Sequence, residues 1–154
     1  MMRKFEIISQ KEINKNSGLL LQNIVLPKRQ TEKAAGYDFY LPYDIFLNVG
    51  ESIIIPTGIK ASMEDDEVLE IYIRSSMGIK KGLCLMNQVG IIDSDYYNNP
   101  DNEGHIMIAV KNCGNQDINL KCGERIAQGI FKKYLITDDD VPVSTRTGGI
   151  GSTK

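Results

Sequence analysis

Four short clusters in the sequence combine charged, hydroxyl-bearing and glycine residues at spacings that suit phosphate or acid–base chemistry. Arg74 and the two serines after it follow a candidate strand, so a guanidinium, hydroxyls and backbone amides can face one anion. Asp93 and Asp95 lie two residues apart beside Tyr96, where a carboxylate could act as a general base. Taken singly, each cluster is also explained by surface ion pairs and turn chemistry. The clusters occupy residues 36–38, 74–78, 90–96 and 123–128.

The end of the chain forms a further cluster. Residues 145–154 are rich in glycine and hydroxyl side chains and carry positive charges on Arg146 and Lys154. One interpretation is a frayed tail. The alternative is a flexible arm that closes over a phosphate ligand through backbone N–H groups, hydroxyls and a guanidinium. The GxxxxGK[ST] spacing of a Walker A loop is absent.

The elements that must position these clusters are predicted to be short β-strands. Residues 69–74 alternate, with Leu69, Ile71 and Ile73 on one face, and residues 105–111 repeat the pattern with His105 on the face opposite the apolar side chains. Helical periodicity is weak, and short helical turns are expected only at 75–81 and near 11–17. Many short strands at this spacing favour an all-β sandwich or barrel-like domain. Further candidate strands are 4–8, 45–48, 52–55, 58–62, 83–87, 118–120 and 126–135.

Length and composition indicate one soluble globular domain. The chain has 154 residues, of which 42% are hydrophobic and 25% charged. Eighteen basic residues against twenty acidic ones give a net charge of -2, which offers no bulk basic surface for a nucleic-acid polymer. The N-terminal residues do not resemble a signal peptide, and no apolar run approaches the roughly 18 residues of a membrane span. We therefore expect neither nucleic acid nor membrane as a partner.

Neither the cysteines nor the acidic runs are predicted to form a metal site. Three cysteines without a CxxC pair, and a single histidine, argue against a zinc site and fit a reducing cytoplasmic setting. The acidic runs at 64–67 and 138–140 are predicted to be solvated loops rather than metal sites.

Taken together and in order, the clusters resemble the trimeric, all-β deoxyuridine triphosphatases (dUTPases). Five short motifs define that family, and all five occur here in sequence order, spanning residues 35–153. The resemblance implies a jelly-roll or β-barrel-like sandwich with at most one short helix, made of one domain at 1–144 and a flexible arm at 145–154 that closes over the active site. The motifs are residues 35–39 (AGYDF), 74–78 (RSSMG), 87–96 (NQVGIIDSDY), 123–128 (GERIAQ) and 148–153 (GGIGST).

The resemblance implies that dUTP and water give dUMP and pyrophosphate, which limits uracil in DNA and supplies dUMP for dTMP synthesis. It makes Asp93 the base that activates the attacking water, a contribution of roughly 10²–10⁴-fold. Positive charge and fixed N–H donors must offset the negative phosphates. Mg²⁺ is the implied cofactor, and Asp38 holds the hydrated ion through water. The implied phosphate contacts are Arg74, Ser75, Ser76, Gln128, Arg146, Gly151 and Ser152.

On the nucleoside side, the resemblance implies a hairpin that presents backbone groups to the uracil edge and excludes the methyl group of thymine. Tyr96 packs beneath the deoxyribose and leaves no room for a 2′-hydroxyl. The family shares its active sites in a homotrimer: one subunit supplies the first, second and fourth motifs, a neighbour the third, and the third subunit the arm. The implied nucleoside contacts are Asn87, Gly90, Ile92, Tyr96 and Ile150.

Three features depart from the family pattern. Ile150 stands where the family usually has a phenylalanine that stacks on uracil, and the family's arm arginine lies one residue further upstream of the glycine pair than Arg146 does. After Tyr96 the family turns at once through a glycine, whereas here residues 98–103 intervene before Gly104.

Two other functions are weighed against dUTP hydrolysis. A dCTP deaminase shares the fold and the Arg-Ser-Ser motif, but deamination needs a carboxylate that shuttles a proton, and the corresponding position here is Ala109. A nucleotide-binding regulator without turnover would agree with the changes at Ile150 and Arg146. The complete set of Asp38, Ser75, Asp93 and Gln128 argues against that alternative.

Overall fold

The computed structural model describes residues 2–151, and within them short antiparallel strands dominate. The strands are β1 (Lys4–Ile7), β2 (Tyr37–Tyr40), β3 (Ile45–Leu47), β4 (Ser52–Pro56), β5 (Ile59–Ser62), β6 (Glu67–Ile73), β7 (Leu83–Leu85), β8 (Gly90–Asp93), β9 (Met107–Asn112), β10 (Ile118–Leu120) and β11 (Arg125–Lys133). The predicted all-β class is confirmed. Among residues 2–151, no helix is long and apolar enough to cross a membrane.

Helical structure is limited to single turns. The helix α1 (Gln10–Ile13) begins at Ser9, whose hydroxyl accepts a hydrogen bond from the Glu12 N–H and so caps the first turn. The other turns are 3₁₀ helices at Leu21–Asn23 and Ser94–Tyr96 and a π-helix at Ser76–Lys80. The predicted turn at 75–81 is therefore present, and the one near 11–17 corresponds to α1.

The strands pair into four sheets, and every pairing between these strands is antiparallel. The largest sheet has the order β2-β11-β6-β8, and it carries three of the sequence clusters. A second sheet has the order β4-β9-β7, and two-stranded sheets join β1 to β5 and β10 to β3. The large sheet therefore brings residues far apart in sequence to neighbouring strands.

The core consists of the apolar faces predicted by alternation. Leu69 and Ile71 of β6 are buried, and Ile106, Ile108 and Val110 are at most 2% exposed at and before β9. These residues belong to one cluster rich in isoleucine and leucine, in which β-branched side chains suit the pleated surface. Aromatic packing extends the cluster from Phe5 of β1, whose ring lies 5.7 Å from that of Phe39 and 5.3 Å from that of Phe131.

Two polar residues lie in the core contrary to the sequence prediction. His105 is fully buried instead of lying on the polar face, because β9 begins only at Met107 and the loop before it turns inward. Its Nε2 accepts a hydrogen bond from the Gly58 N–H at 2.9 Å. Glu67 was predicted to be solvated but is 3% exposed, because Arg3 donates hydrogen bonds to its carboxylate. Asp138, Asp139 and Asp140 are exposed as predicted.

Candidate active site

One half of the candidate site is built around Asp38, which is 6% exposed on β2. One carboxylate oxygen lies 3.2 Å from Nε of Arg74, and the other accepts a hydrogen bond from Nη1 of Arg125 at 3.1 Å. Two guanidinium groups thus offset the cost of burying this charge. Arg74 directly follows β6, and Arg125 begins β11, so the register of the large sheet sets the geometry.

A cavity of about 200 Å³ opens beside Asp38. Gln128 reaches it because β11 pairs with β2 in the register Gln128–Asp38. Gly36 provides the room, since a Cβ atom there would lie 2.5 Å from the side-chain oxygen of Gln128. Ser75 lines the same cavity, whereas Ser76 faces a neighbouring depression. The residues lining the Asp38 cavity are Gln30, Thr31, Ala34, Gly36, Asp38, Arg74, Ser75, Arg125 and Gln128.

The arrangement around Asp38 suits a hydrated cation that a phosphate ligand carries with it. Within the described part of the chain, no three His, Cys, Asp or Glu side chains come together to hold a metal ion. Both oxygens of Asp38 already contact arginines. Mg²⁺ keeps several waters and is commonly bound by one or two carboxylates together with substrate phosphates. The donor set therefore fits Mg²⁺ held through water, and it does not provide a dedicated protein cage.

The other half of the candidate site is a cavity of about 300 Å³ beside Tyr96. Strand β8 forms one wall and pairs with β6, and the loop before it turns through Gln88, whose φ is +62°. Gly90 packs against β6, where a Cβ atom would lie 3.0 Å from the Cβ of Ile71. The predicted nucleoside residues all line this cavity, namely Asn87, Gly90, Ile92, Tyr96 and Ile150, together with Asp93, Ala109, Arg146 and Gly151.

Tyr96 is held firmly at the base of this cavity. The ring is 6% exposed, and its hydroxyl donates a hydrogen bond to the carbonyl oxygen of His105 at 2.9 Å. The side-chain amide of Asn102 donates to the same hydroxyl at 2.8 Å. Burial raises the pKa of the Tyr96 phenol, so the hydroxyl stays protonated. A fixed aromatic ring beside an open cavity can support a flat or puckered ring of a ligand.

The arm lies against the Tyr96 cavity of its own chain. Arg146 donates hydrogen bonds to Asp93 at 2.6 Å and to Asp95 at 2.7 Å. Its guanidinium also lies 5.6 Å from the centre of the Tyr96 ring. The Asp93 side chain is half exposed, so its carboxylate faces the cavity rather than the core. Ile150 is 78% exposed at the cavity mouth, and Ser152 lies outside the described residues.

The two halves are far apart within one chain. Asp93 pairs with Val68 near the start of β6, whereas Arg74 follows the end of that strand. Six residue steps of extended chain separate these two positions, a distance of about 20 Å. The Asp38 cavity and the Asp93 carboxylate therefore lie towards opposite ends of β6.

Sequence reasoning missed Arg125 as a site residue. Arg125 belongs to the fourth motif, but no neighbouring residue distinguishes it from any other charged residue at the start of a strand. Its role as a partner of Asp38 depends on the pairing of β11 with β2, where the register shifts between Arg125 and Ala127. The signal that could have identified it is an arginine on the strand directly paired with the strand that carries the carboxylate.

The known proteins that this chain is similar to are dUTPases. The dUTPase family model matches residues 22–153. The deoxyuridine 5'-triphosphate nucleotidohydrolase of Lactococcus lactis is 46% identical over 154 residues, covering 99% of this chain and 97% of that protein. The crystal structure of a dUTPase from Streptococcus mutans superposes with a TM-score of 0.74 at 45% identity, covering 88% of this chain and 99% of that one.

A more distant structure supports the fold alone. A variant dUTPase from phage phi11 of S. aureus, in which a structural Mg(II) ion is coordinated, has a TM-score of 0.71 at 17% identity and covers 94% of this chain and 98% of that one. The family match and the close relatives, by contrast, extend over nearly the whole sequence. The chain belongs to the dUTPase family.

Proposed function

We propose that this chain hydrolyses dUTP to dUMP and pyrophosphate, with Asp93 activating a water that attacks the α-phosphate. The observation that carries the proposal is the pair of cavities, one lined by arginines around Asp38 and one formed by the hairpin and Tyr96, in a chain of this family. The first suits a triphosphate and the second suits a nucleoside. In the cell, this reaction limits uracil in DNA and supplies dUMP for dTMP synthesis.

Phosphate binding is assigned to the Asp38 cavity. The guanidinium groups of Arg74 and Arg125 and the polar side chains of Ser75 and Gln128 line it, so positive charge and donors converge locally although the whole chain is slightly acidic. When bound, Mg²⁺ would neutralise part of the phosphate charge. Asp38 would accept hydrogen bonds from the waters of the ion. Arg146 and the backbone of Gly151 would complete the enclosure from the arm.

Nucleoside recognition is assigned to the Tyr96 cavity. The backbone of β8 at Gly90 and Ile92 would read the uracil edge, with Asn87 beside it at the start of the hairpin. The fixed ring of Tyr96 would lie beneath the deoxyribose and exclude a 2′-hydroxyl. Ile150 would cap the base, in place of the aromatic residue usual in the family.

The reacting water is assigned to Asp93. The carboxylate is half exposed to the cavity, and Arg146 donates a hydrogen bond to one of its oxygens, which leaves the other free to accept a proton from water. A positioned carboxylate base contributes roughly 10²–10⁴-fold to the rate. The proton would pass from water to Asp93 as the oxygen attacks the α-phosphate and pyrophosphate leaves.

The separation of the two halves supports a homotrimer with shared active sites. Asp93 lies about 20 Å from Arg74 along β6, so the first, second and fourth motifs of one subunit would act with the third motif of a neighbour. In this structure Arg146 of the arm contacts Asp93 and Asp95 of its own chain, so an arm donated by a third subunit would have to leave that position. The proposed location is the cytoplasm, where the exposed thiols of Cys84, Cys113 and Cys122 would stay reduced.

Ala109 weakens the case for a deaminase. It lines the Tyr96 cavity at the position where deamination would need a carboxylate, and a methyl group cannot shuttle a proton. A regulator without turnover would have no need for Asp93 to face the cavity.

A nucleotide panel tests these functions. The protein is incubated with dUTP, UTP, dTTP and dCTP in the presence of Mg²⁺, and pyrophosphate and ammonia are both measured. We expect pyrophosphate from dUTP and much less from the other three nucleotides. Ammonia from dCTP would establish deamination, and binding of dUTP without pyrophosphate would establish the regulator.

A further inference from the structure

The residues that intervene after Tyr96 form a closed polar loop, which we call the insert (residues 98–103). The N–H of Asn98 donates to the carbonyl oxygen of Glu103 at 2.9 Å, and the N–H of Glu103 donates to that of Asn99 at 3.0 Å. Asn98 and Glu103 both have left-handed backbone angles, with φ of +56° and +61°. The side-chain oxygen of Asn99 also accepts the N–H groups of Asp101 and Asn102. The insert is therefore an ordered element.

Two other parts of the chain hold the insert in place: the region of Ser9 and Lys15, and Lys60 of β5. The carboxylate of Glu103 accepts hydrogen bonds from the N–H and the hydroxyl of Ser9, the residue that caps α1. Lys60 of β5 donates to the side-chain oxygen of Asn98 at 2.7 Å. Lys15 donates to the carbonyl oxygen of Asp101 at 3.1 Å. These contacts fix the position of the insert relative to the domain.

The insert contacts Tyr96 at two points, the backbone carbonyl oxygen and the side-chain hydroxyl. The side-chain amide of Asn99 donates to the Tyr96 carbonyl oxygen at 2.8 Å, and that of Asn102 donates to the Tyr96 hydroxyl at 2.8 Å. The oxygen of Asn102 accepts the N–H of Gly104, whose backbone runs so close that a Cβ atom would lie 2.6 Å from the Tyr96 carbonyl oxygen. The insert thus helps to fix the orientation of the ring, together with the His105 carbonyl oxygen that accepts from the Tyr96 hydroxyl.

The insert also holds the arm. The N–H of Gly149 donates to the carboxylate of Asp101 at 3.2 Å. Gly148 and Gly149 are buried. A Cβ atom on Gly149 would lie 2.8 Å from the Asp101 carboxylate and 3.1 Å from the side-chain nitrogen of Asn102, so these side chains would have to shift to admit it.

We propose that the insert is the docking element for the C-terminal arm and, through Asn102, a positioning element for Tyr96. Docking of the arm and recognition of the sugar are then set by one rigid loop. The inference deepens the proposed function and rests on it for the role of Tyr96, but the docking of the arm is a property of the free protein.

Arm docking is tested by trypsin cleavage after Arg146, without nucleotide. Release of residues 147–154 is followed by mass spectrometry. We expect Asp101→Ala to cleave at least about fivefold faster than the wild type, because it loses the acceptor of the Gly149 N–H. Asp101→Asn keeps an acceptor oxygen and is expected to cleave close to the wild-type rate. Asp138→Ala, which alters an exposed carboxylate elsewhere, is the control for charge. Equal cleavage of Asp101→Ala and the wild type would overturn the docking role.

The positioning of Tyr96 is tested by a double-mutant cycle on the dUTP-to-UTP ratio of kcat/KM. We expect Asn102→Ala and Tyr96→Phe each to lower this ratio severalfold, and the double variant to be no worse than Tyr96→Phe, because the hydroxyl carries the effect of Asn102. Independent, additive effects would overturn the positioning role. If the wild type does not hydrolyse dUTP, the proposed function fails while the trypsin experiment still decides whether the insert docks the arm.

Discussion

The guanidinium of Arg146 donates a hydrogen bond to the Asp93 carboxylate at 2.6 Å, so the arm holds the residue proposed as the base. Asp95 accepts a second hydrogen bond from the same guanidinium. Since Arg146 is also proposed to contact phosphate, substrate and Asp93 compete for one cation. In the proposed mechanism these contacts belong to the protein before substrate binds, and binding of dUTP would redirect Arg146 from the carboxylates to the triphosphate.

Replacing Asp93 separates catalysis from binding. Asp93→Asn keeps the shape and an acceptor for Arg146 but cannot accept a proton, so we expect kcat on dUTP to fall at least about a hundredfold while binding of dUTP survives. Asp95→Asn is the matched control, because Asp95 contacts the same guanidinium, and it should reduce kcat far less. Near-wild-type turnover of Asp93→Asn would remove Asp93 from the role of base.

Removing the Tyr96 ring tests the selection of the sugar. Tyr96→Ala should open space beneath the ribose and lower the ratio of kcat/KM for dUTP over UTP at least about tenfold. Both specificity constants are measured under the same conditions. An unchanged ratio would show that Tyr96 has only a packing role.

Truncation tests the arm. A chain that ends at Ser144 should keep the melting temperature of the full chain, because residues 145–151 contact surface carboxylates such as Asp93 and Asp101 rather than the core. It should nevertheless lose most of its dUTP hydrolysis, since closure of the arm excludes water and adds Arg146.

Ile150→Phe examines the same arm without shortening it. Ile150 is largely exposed at the mouth of the Tyr96 cavity, so an aromatic ring there can stack on the base and should maintain or lower KM for dUTP. Full activity of the truncated chain would instead show that the arm has no part in the reaction.

Mixing two inactive variants tests the sharing of active sites. Arg74→Gln damages the phosphate half and Asp93→Asn damages the other half, so co-refolded subunits in equal amounts should recover about a quarter of the wild-type activity if each site takes its halves from two subunits. Arg74→Gln mixed with Gln128→Ala is the control, because both residues belong to one half and no site can be complete. Recovery in neither mixture would contradict shared sites.

The buried His105 predicts a pH dependence of stability. Burial lowers its pKa, although the carboxylates of Glu12 and Glu103 oppose this shift. Between the lowered pKa of the folded state and the ordinary value of about 6.5, the unfolded chain binds a proton that the folded chain does not. Stability should therefore decrease as the pH falls below about 6.5.

His105→Gln provides the control for this effect. A glutamine can still accept the Gly58 N–H but does not titrate, so urea unfolding at several pH values between 7.5 and 5.5 should show a smaller loss of stability than in the wild type. Parallel curves for the two proteins would exclude His105 as the source of the pH dependence.

The sequence predicted the strands that show an apolar period of two or a short apolar run, and it missed β2 and β8, which lie within the motif clusters. β6 and the region of β9 show clear alternation, but β2 consists of only four residues, two of them adjacent and buried, and Asp38 is one of these two. β8 begins at a glycine and was interpreted only as part of a motif. Both strands are defined by their pairing with β11 and β6, which local periodicity does not reveal.

The motif residues that line the Tyr96 cavity could be identified from the sequence, whereas the partners of buried charges could not. Asn87, Asp93 and Tyr96 line one cavity because they lie within ten consecutive residues, in β8, the loop before it and the 3₁₀ turn after it. The partners of buried charges come from distant parts of the chain, so no local pattern identified them. Arg3 pairs with Glu67 across 64 positions, and Arg125 pairs with Asp38 across 87.

The close contact between Gly36 and Gln128 constrains which substitutions position 36 can accept. A Cβ atom at position 36 would lie 2.5 Å from the side-chain oxygen of Gln128 and 3.1 Å from its Cβ. A side chain at position 36 therefore requires Gln128 to move or to change, whereas Gln128 can be replaced while Gly36 remains, so the dependence runs in one direction although 92 positions separate the two residues. Relatives that carry a side chain at position 36 should accordingly differ at position 128 as well, and a deep mutational scan should find epistasis for substitutions of Gly36.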